Sequence, residues 1–134
     1  MKRGLAYLDS SAIVKLVARE AASLALFEFL KDWPERVSSG LARVEVTRAL
    51  RRARASLSLR RRSEDVLARI ALVRIDDDVL ETASRLDPPE LRSLDAIHVA
   101  TALSLAPGFG VFVAYDRRLC DAARSAGLPV SSPA

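Results

Sequence analysis

The chain has few of the residues on which covalent cross-links and zinc sites depend, with one cysteine and one histidine among 134 residues. The single cysteine, Cys120, cannot form an intrachain disulfide, and no cluster of cysteine and histidine exists to bind zinc. Half of the residues are hydrophobic and 28% are charged, a balance typical of globular proteins rather than disordered or fibrous ones. We therefore expect one domain, residues 1–134, that buries its core without cross-links.

Long hydrophobic runs are also absent. The apolar stretch Leu5–Leu8 follows Lys2 and Arg3, but Asp9 ends it, so we expect no secretory signal peptide there. No other run approaches the roughly 20 apolar residues that a membrane-spanning helix needs. The chain has no internal repeats and no low-complexity segments. These features predict a soluble, cytoplasmic protein with no membrane partner.

Positive charge is concentrated in one part of the chain. The net charge is +4, yet residues 43–62 contain one acidic residue, Glu45, and a series of arginines: Arg43, Arg48, Arg51, Arg52, Arg54, Arg60, Arg61 and Arg62. The remainder of the chain is therefore net negative. Because arginine makes bidentate contacts to phosphate, this segment is typical of a phosphate-binding surface. A solvated helix face, or a surface that pairs with an acidic partner, explains the same charges equally well.

Hydrophobic patterning predicts short strands that alternate with helices. We predict strands at residues 3–8, 36–39, 73–75 and 111–115, and a last short strand opening at Val130. Helices are predicted to start at Asp9–Ser11, and to span about 21–32, 41–55, 60–71, 78–86, 94–105 (capped by Ser93) and 117–125. This alternation indicates an α/β protein with a parallel sheet and helices on both faces.

Four acidic side chains stand in unusual contexts. Asp9 and Asp116 each follow a predicted strand, and parallel sheets bind ligands beyond the carboxyl ends of their strands. Asp95 lies in the first turn of an apolar helix, and Glu45 lies between two valines. Buried carboxylates are costly unless they are paired or bind a cation, and Mg²⁺ prefers such oxygen ligands. Taken singly, each of these acids is more often a helix cap or a member of an ion pair.

Three blocks of sequence surround these acids. They are LDSSAIVKL at residues 8–16, SLDAIHVATA at 93–102 and VAYDRRL at 113–119. They closely resemble the conserved blocks of PIN-domain proteins and, more narrowly, of the VapC toxins of toxin–antitoxin pairs. Glu45, in SGLARVEV at residues 39–46, matches the segment that carries the glutamate of that family. The resemblance covers essentially the whole chain, and the order and spacing of the blocks fit.

The resemblance implies a three-layer α/β/α fold with a short parallel sheet, and a metal-dependent endoribonuclease that is the toxin of a type II pair. It implies an acidic catalytic cluster: Asp9, Glu45, Asp95 and Asp116. One or two Mg²⁺ or Mn²⁺ ions would be bound by Asp9, Asp95 and Asp116, and Glu45 would bind metal or orient water. Such ions activate water for in-line attack on a phosphodiester. Ser10 or Ser11 would make a secondary contact in the site.

The resemblance also implies partners. These are an RNA substrate, a small cognate antitoxin and a second copy of the chain in a homodimer. The arginines that accompany Glu45 on its predicted helix form a candidate surface for RNA or for a protein partner: Arg43, Arg48, Arg51 and Arg52. We keep both uses open.

One departure from the family pattern favours an alternative function. Ala114 stands where the family usually has threonine or serine, which weakens the case for a hydroxyl contact and a second metal position. The alternative is a non-catalytic or weakly active PIN-like module that binds RNA or a partner. A phosphatase that forms an aspartyl-phosphate at Asp9 is disfavoured, because such enzymes carry a second aspartate where this chain has Ser11.

Other polar residues have simpler interpretations. His98 lies one helical turn after Asp95, and we expect a hydrogen-bonded structural histidine there rather than a ligand. Asp121 is expected to form a surface ion pair with a neighbouring arginine. The aspartates at 76–78 are expected to cap a helix, and Cys120 is expected in or near the core.

Overall fold

The computed structural model describes residues 4–134. Its strands are β1 (Leu5–Leu8), β2 (Arg36–Ser39), β3 (Ala71–Val73), β4 (Phe109–Val113) and β5 (Val130–Ser131). Its helices are α1 (Ser10–Val17), α2 (Ser23–Leu30), α3 (Leu41–Arg52), α4 (Leu57–Ala68), α5 (Asp77–Ser84), α6 (Ser93–Leu103) and α7 (Arg117–Ser125). Arg3, which the sequence predicts to open the first strand, lies outside the described residues. No helix within residues 4–134 is long and apolar enough to cross a membrane.

The strands form one sheet in the order β3-β2-β1-β4-β5, and every neighbouring pair is parallel. The chain builds the sheet from β1 outward through β2 to β3, then crosses to the other side of β1 for β4 and β5. Strand order therefore reverses between β1 and β4, and ligands of open α/β sheets bind beside the carboxyl ends of strands at such a point. The backbone N–H of Asp9 donates to the carbonyl of Val113 at 3.1 Å, which joins the two strand ends.

Both faces of the sheet are covered by helices. Leu8 and Val113 pack against α1, α2 and α3, whereas the neighbouring residues Tyr7 and Phe112 pack against α6 and α7. Successive strand residues point to opposite faces, so strands buried on both sides need apolar residues at nearly every position. This arrangement confirms the predicted three-layer α/β/α architecture.

Two strands lie about two residues earlier than the sequence pattern predicts. The strand predicted at 73–75 corresponds to β3, which ends at Val73. It ends there because Val73 pairs with Ser39, the last residue of β2. The strand predicted at 111–115 corresponds to β4, which ends at Val113. It ends there because Val113 pairs with Leu8, the last residue of β1. Pairing with a neighbour thus decides where each strand stops.

Helix boundaries also differ from the predictions where a cap intervenes. The helix predicted from residue 60 begins at Leu57, because the hydroxyl of Ser56 accepts a hydrogen bond from the N–H of Leu59 at 3.2 Å. Ser93 is the first residue of α6 rather than its cap, and Arg92 occupies the cap position. The prediction for the aspartates at 76–78 is confirmed, since Asp76 caps α5 through a 2.9 Å bond from the N–H of Val79.

Candidate active site

The structure brings the four predicted acids together in one open cleft of ≈ 420 Å³ at the carboxyl ends of β1 and β4. Polar side chains that line the cleft are Asp9, Ser10, Ser11, Glu20, Glu45, Asp95, His98 and Asp116. Cationic residues that line it are Lys15, Arg52 and Arg92. Their assignment as catalytic or metal-binding residues stays a prediction, whereas their proximity is a property of the fold.

Asp9 joins the end of β1 to the start of α1. It is 5% exposed and caps the helix, because its Oδ1 accepts hydrogen bonds from the N–H of Ala12 at 3.0 Å and the hydroxyl of Ser11 at 2.7 Å. Burial raises the pKa of Asp9, and the bonds from Ser11 and Ala12 oppose that rise only in part. The ionised form of Asp9 is therefore unfavourable unless a positive charge lies close to it.

Asp116 has the corresponding position at the start of α7. Its Oδ1 accepts a hydrogen bond from the N–H of Leu119 at 3.0 Å, and its Oδ2 lies 3.8 Å from Nη2 of Arg92. Asp9 and Asp116 are thus helix caps and members of the acidic cleft at once. The capping interpretation is therefore confirmed for both residues, and their role as metal ligands stays a prediction.

Asp95 lies in the first turn of α6, where its Oδ2 is 3.5 Å from Nε of Arg92. Burial raises the pKa of Asp95, the charge of Arg92 lowers it, and the charges of Asp116 and Glu45 raise it further. The acids of the cleft therefore repel one another across the site.

Glu45 on α3 is held by a chain of hydrogen bonds. Its Oε1 accepts a hydrogen bond from the hydroxyl of Ser10 at 2.5 Å and lies 2.6 Å from Nε2 of the buried His98. The other ring nitrogen, Nδ1, is 2.7 Å from the hydroxyl of Tyr7. Burial opposes ionisation of Glu45, but the hydrogen bonds from His98 and Ser10 outweigh it, so the pKa of Glu45 lies below its ordinary value. The ionised form of Glu45 is therefore favoured by its hydrogen-bond partners.

Among the polar residues of the cleft, sequence reasoning placed His98 outside the site and did not single out Lys15, Glu20 or Arg92. His98 is hydrogen-bonded, as predicted, but its partner is a predicted site residue, and the helical spacing from Asp95 was the available signal. Arg92 was not singled out, although it precedes Asp95 by three residues and contacts both Asp95 and Asp116.

The four predicted surface arginines do not face one cleft. Arg52 lies two helical turns after Glu45 and lines the acidic cleft. Arg43 and Arg48 line a groove of ≈ 680 Å³ between α3 and α4, and Arg51 lines a smaller adjoining cavity of ≈ 280 Å³. Their use for RNA or for a partner stays a prediction, but the structure places that surface on two sides of α3.

The donor chemistry of the cleft fits a divalent cation. Within residues 4–134, no group of three or more acidic, histidine or cysteine side chains is placed to hold a metal ion without other ligands. Mg²⁺ commonly binds one or two carboxylates together with water and substrate phosphate, so a complete protein cage is not needed. The cation would relieve the repulsion that raises the pKa of Asp95.

The remaining predicted residues lie outside the cleft. Ala114 is fully buried among residues packed on α6 and α7, where its carbonyl accepts a hydrogen bond from the hydroxyl of Ser132. Cys120 is buried, as predicted, and Asp121 forms the predicted exposed ion pair, 3.5 Å from Arg124. The effect of Ala114 on a second metal position stays a prediction.

The fold and the cleft together define a class: three-layer α/β/α proteins with acids gathered where strand order reverses. The model of the PIN domain family matches residues 6–125 of the chain. Ribonuclease VapC46 of Mycobacterium tuberculosis is 49% identical over 127 residues, which cover 95% of this chain and 96% of that protein. Ribonuclease VapC35 of the same species is 42% identical over 132 residues, with the same coverage. The chain therefore belongs to the PIN-domain family, and within that family to the VapC group.

Solved structures share the fold at lower sequence identity. VapC20 of Mycobacterium tuberculosis, a Sarcin-Ricin loop cleaving toxin, superposes with a TM-score of 0.71 at 18% identity, covering 92% of this chain and 95% of that chain. A toxin-antitoxin complex from Klebsiella pneumoniae contains a chain with a TM-score of 0.72 at 20% identity, covering 96% and 98% respectively. These similarities establish the common fold.

Proposed function

We propose that the chain is the endoribonuclease toxin of a type II toxin–antitoxin pair and hydrolyses RNA phosphodiesters with Mg²⁺ or Mn²⁺ bound in the acidic cleft. The observation that carries this proposal is that Asp9, Glu45, Asp95 and Asp116, which are far apart in the sequence, all line one cleft. Its relatives at 49% and 42% identity are named ribonucleases, which supports the same activity here.

Each acid has a role that its surroundings support. Asp9, Asp95 and Asp116 would hold the cation, and the bonds that Ser11 and Ala12 donate to Asp9 fix the orientation of that carboxylate. When bound, the cation supplies activation of a water nucleophile and neutralisation of charge on the phosphodiester.

Glu45 is suited to accept a proton from the attacking water. The hydrogen bonds from His98 and Ser10 both reach Oε1, and they favour the ionised form of this carboxylate. A general base must be ionised and oriented at the working pH, and these two contacts provide both conditions.

The cationic residues of the cleft counter the repulsion between RNA and the acids. Lys15, Arg52 and Arg92 lie on its wall, within reach of a phosphate chain that enters the site. Contacts of this kind position the backbone without reading sequence. They do not specify which RNA is cut.

We also propose a cytoplasmic location, where RNA is found, and a small cognate antitoxin as partner. The Klebsiella pneumoniae structure is a toxin-antitoxin complex, and another with the same fold is VapBC2 from Rickettsia felis, which supports the antitoxin partner. The homodimer rests on the family resemblance, and light scattering of the isolated protein tests it.

The test of the proposed activity is cleavage of end-labelled total RNA by antitoxin-free protein, with Mg²⁺, with Mn²⁺ and with EDTA. We expect discrete fragments that require metal and are lost in Asp9→Asn and Asp95→Asn. Asp121→Asn is the matched control, because it removes an exposed carboxylate that does not line the acidic cleft. Cleavage by Asp9→Asn at the rate of the unmodified protein would contradict the proposal.

A second candidate function is a binding module that holds RNA or a partner without cutting it. The observation that favours it is that no complete metal cage is formed by side chains within residues 4–134. The cleavage assay separates the two functions, because a binding module leaves the RNA intact with either metal. A gel-retardation measurement then shows whether the protein binds that RNA.

A further inference from the structure

Arg92 has a position that neither metal binding nor helix capping explains. Its backbone is fixed at the head of α6, where its side chain makes no capping hydrogen bond. The side chain is 76% exposed and lies between the acidic cleft and a second cavity of ≈ 680 Å³ beside α7, lining both. A long cationic side chain on a fixed backbone can therefore reach several partners around the site.

The ion pairs of Arg92 are loose. Its Nε lies 3.5 Å from Oδ2 of Asp95, and its Nη2 lies 3.8 Å from Oδ2 of Asp116. Charge-assisted hydrogen bonds between such groups are about 2.7–2.9 Å long, so Arg92 neutralises both carboxylates without being bound tightly to either.

Lys15, on the same cleft wall, is held more firmly. Its Nζ lies 3.2 Å from Oε1 of Glu20 and 4.3 Å from the centre of the Tyr115 ring, and its side chain is 18% exposed. Of these two cations, Arg92 is the more exposed and the one that is shared between two acids.

The place that Arg92 neutralises is the place where a divalent cation would bind. A guanidinium group and a metal ion compete for the same two carboxylate oxygens, because the two cations repel each other. With a divalent cation held by Asp95 and Asp116, the guanidinium of Arg92 would be free to pair with another anion. In a site that acts on RNA, the available anion is a phosphate oxygen.

We propose that Arg92 is an exchangeable cation, which pairs with Asp95 and Asp116 in the metal-free protein and moves to a phosphate of the RNA when a divalent cation takes those carboxylates. This inference rests on the proposed ribonuclease function and adds a substrate-positioning residue to it. It also predicts that metal and RNA bind cooperatively, since each favours the same position of Arg92.

The first test is calorimetric titration of Mn²⁺ into the protein without RNA. Arg92→Gln is expected to bind Mn²⁺ about two- to five-fold more tightly than the unmodified protein, the range expected on removing an exposed competing charge. Arg85→Gln is the matched control, because Arg85 is 77% exposed and paired with Glu81 but does not line the acidic cleft. Equal Mn²⁺ affinity in Arg92→Gln and the unmodified protein overturns the proposal.

The second test measures RNA affinity by fluorescence anisotropy against salt concentration, in a Glu45→Gln background that prevents cleavage. With Mn²⁺, Arg92→Gln is expected to reduce the slope of log affinity against log salt by about 0.7, the value for one lost phosphate contact on single-stranded RNA. With EDTA the slope is expected to change little. An equal loss with Mn²⁺ and EDTA overturns the exchange, because Arg92 would then be an ordinary phosphate contact.

The binding measurements distinguish a failure of the exchange from a failure of the proposed ribonuclease function. If the unmodified protein cuts RNA but Arg92→Gln leaves Mn²⁺ affinity unchanged, the exchange is wrong and the ribonuclease stands. If the Mn²⁺ and RNA measurements give the expected changes but no RNA is cut with any metal, the exchange stands and the ribonuclease proposal is wrong.

Discussion

His98 and Glu45, 53 residues apart in the chain, meet at 2.6 Å between Nε2 and Oε1. This contact joins α6 to α3 at the edge of the cleft. The imidazole also reaches the hydroxyl of Tyr7 in β1, and burial raises the pKa of Tyr7, so that hydroxyl keeps its proton. An ionised carboxylate only accepts hydrogen bonds, so Nε2 of His98 must donate to Glu45.

Replacing His98 with alanine is expected to affect both stability and the pH dependence of cleavage. The change leaves the buried hydroxyl of Tyr7 without its histidine partner, which costs about 1–3 kcal/mol in the free energy of unfolding. It also removes a donor that lowers the pKa of Glu45, so the acid limb of the pH–rate profile moves to higher pH. Urea unfolding and pH–rate profiles measure the two effects.

The control for this prediction is Ser10→Ala, which removes the other donor to Glu45 and leaves the contact between His98 and Tyr7 in place. It should shift the acid limb in the same direction with a smaller loss of stability. Because the pKa of Glu45 is lowered in the folded state, its contribution to stability is lost as the pH falls through that folded-state pKa. An acid limb that stays in place in both variants would argue against Glu45 as the proton acceptor.

Asp9→Asn is expected to lose cleavage and to gain stability at neutral pH. Asparagine caps helices as well as aspartate does, and it removes a buried charge from a group whose pKa burial raises. Single stabilising substitutions commonly add about 0.5–2 kcal/mol, and the gain expected here lies in that range. The gain should shrink as the pH falls through the raised pKa of Asp9, because the carboxyl of the unmodified protein is then neutral.

The matched variant is Asp9→Ala, which removes the charge and the cap together. Loss of the cap costs about 0.5–2 kcal/mol, so this variant should be less stable than Asp9→Asn in thermal unfolding at pH 7. Equal stabilities for the two variants would show that the hydrogen bond from Ala12 contributes nothing measurable.

Mn²⁺ is expected to raise the melting temperature. A ligand that binds only the folded state stabilises it by about 2.7 kcal/mol at 100 times its dissociation constant. The gain should be absent in Asp95→Asn, which lacks a proposed ligand, and retained in Asp121→Asn. Differential scanning fluorimetry over a range of Mn²⁺ concentrations measures it, and an equal rise in Asp95→Asn would place the bound metal elsewhere.

Gly110→Ala is expected to destabilise the protein by about 1–3 kcal/mol, the usual cost of overpacking. A Cβ atom there would overlap the ring of Trp33 and lie 3.0 Å from the carbonyl oxygen of Leu5. At Gly108 the nearest such atom, the carbonyl oxygen of Leu105, is at 3.7 Å, so Gly108→Ala is the control and should be tolerated. Similar unfolding midpoints for the two variants would contradict this.

Much of the fold was predictable from the sequence, because its signals are local. The alternation of apolar strands with amphipathic helices indicated the α/β class, and aspartates after strands indicated both helix starts and a polar sheet edge. The signals at Asp9 and Asp116 are local, because a capping side chain accepts a hydrogen bond from the N–H only three positions later.

Other features were decided only by tertiary structure, because they depend on contacts between distant segments. The ends of β3 and β4 follow from where their partner strands stop. Arg52 lines the acidic cleft, whereas Arg43 and Arg48 line a different groove, although all three lie in one basic stretch. The pairing of Glu45 with His98 depends on two helices that pack on opposite faces of the sheet and meet at its edge.

The sequence by itself therefore indicated the class of fold through periodicity, and the helix starts at Asp9 and Asp116 through capping chemistry, whereas the resemblance to the PIN-domain blocks singled out the four acids. Tertiary structure alone decided how those acids are charged and paired. Burial raises the pKa of Asp9, hydrogen bonds lower the pKa of Glu45, and Arg92 lies between Asp95 and Asp116. The physical reason is that desolvation and charge–charge interactions depend on distances in space, which the order of residues along the chain does not specify.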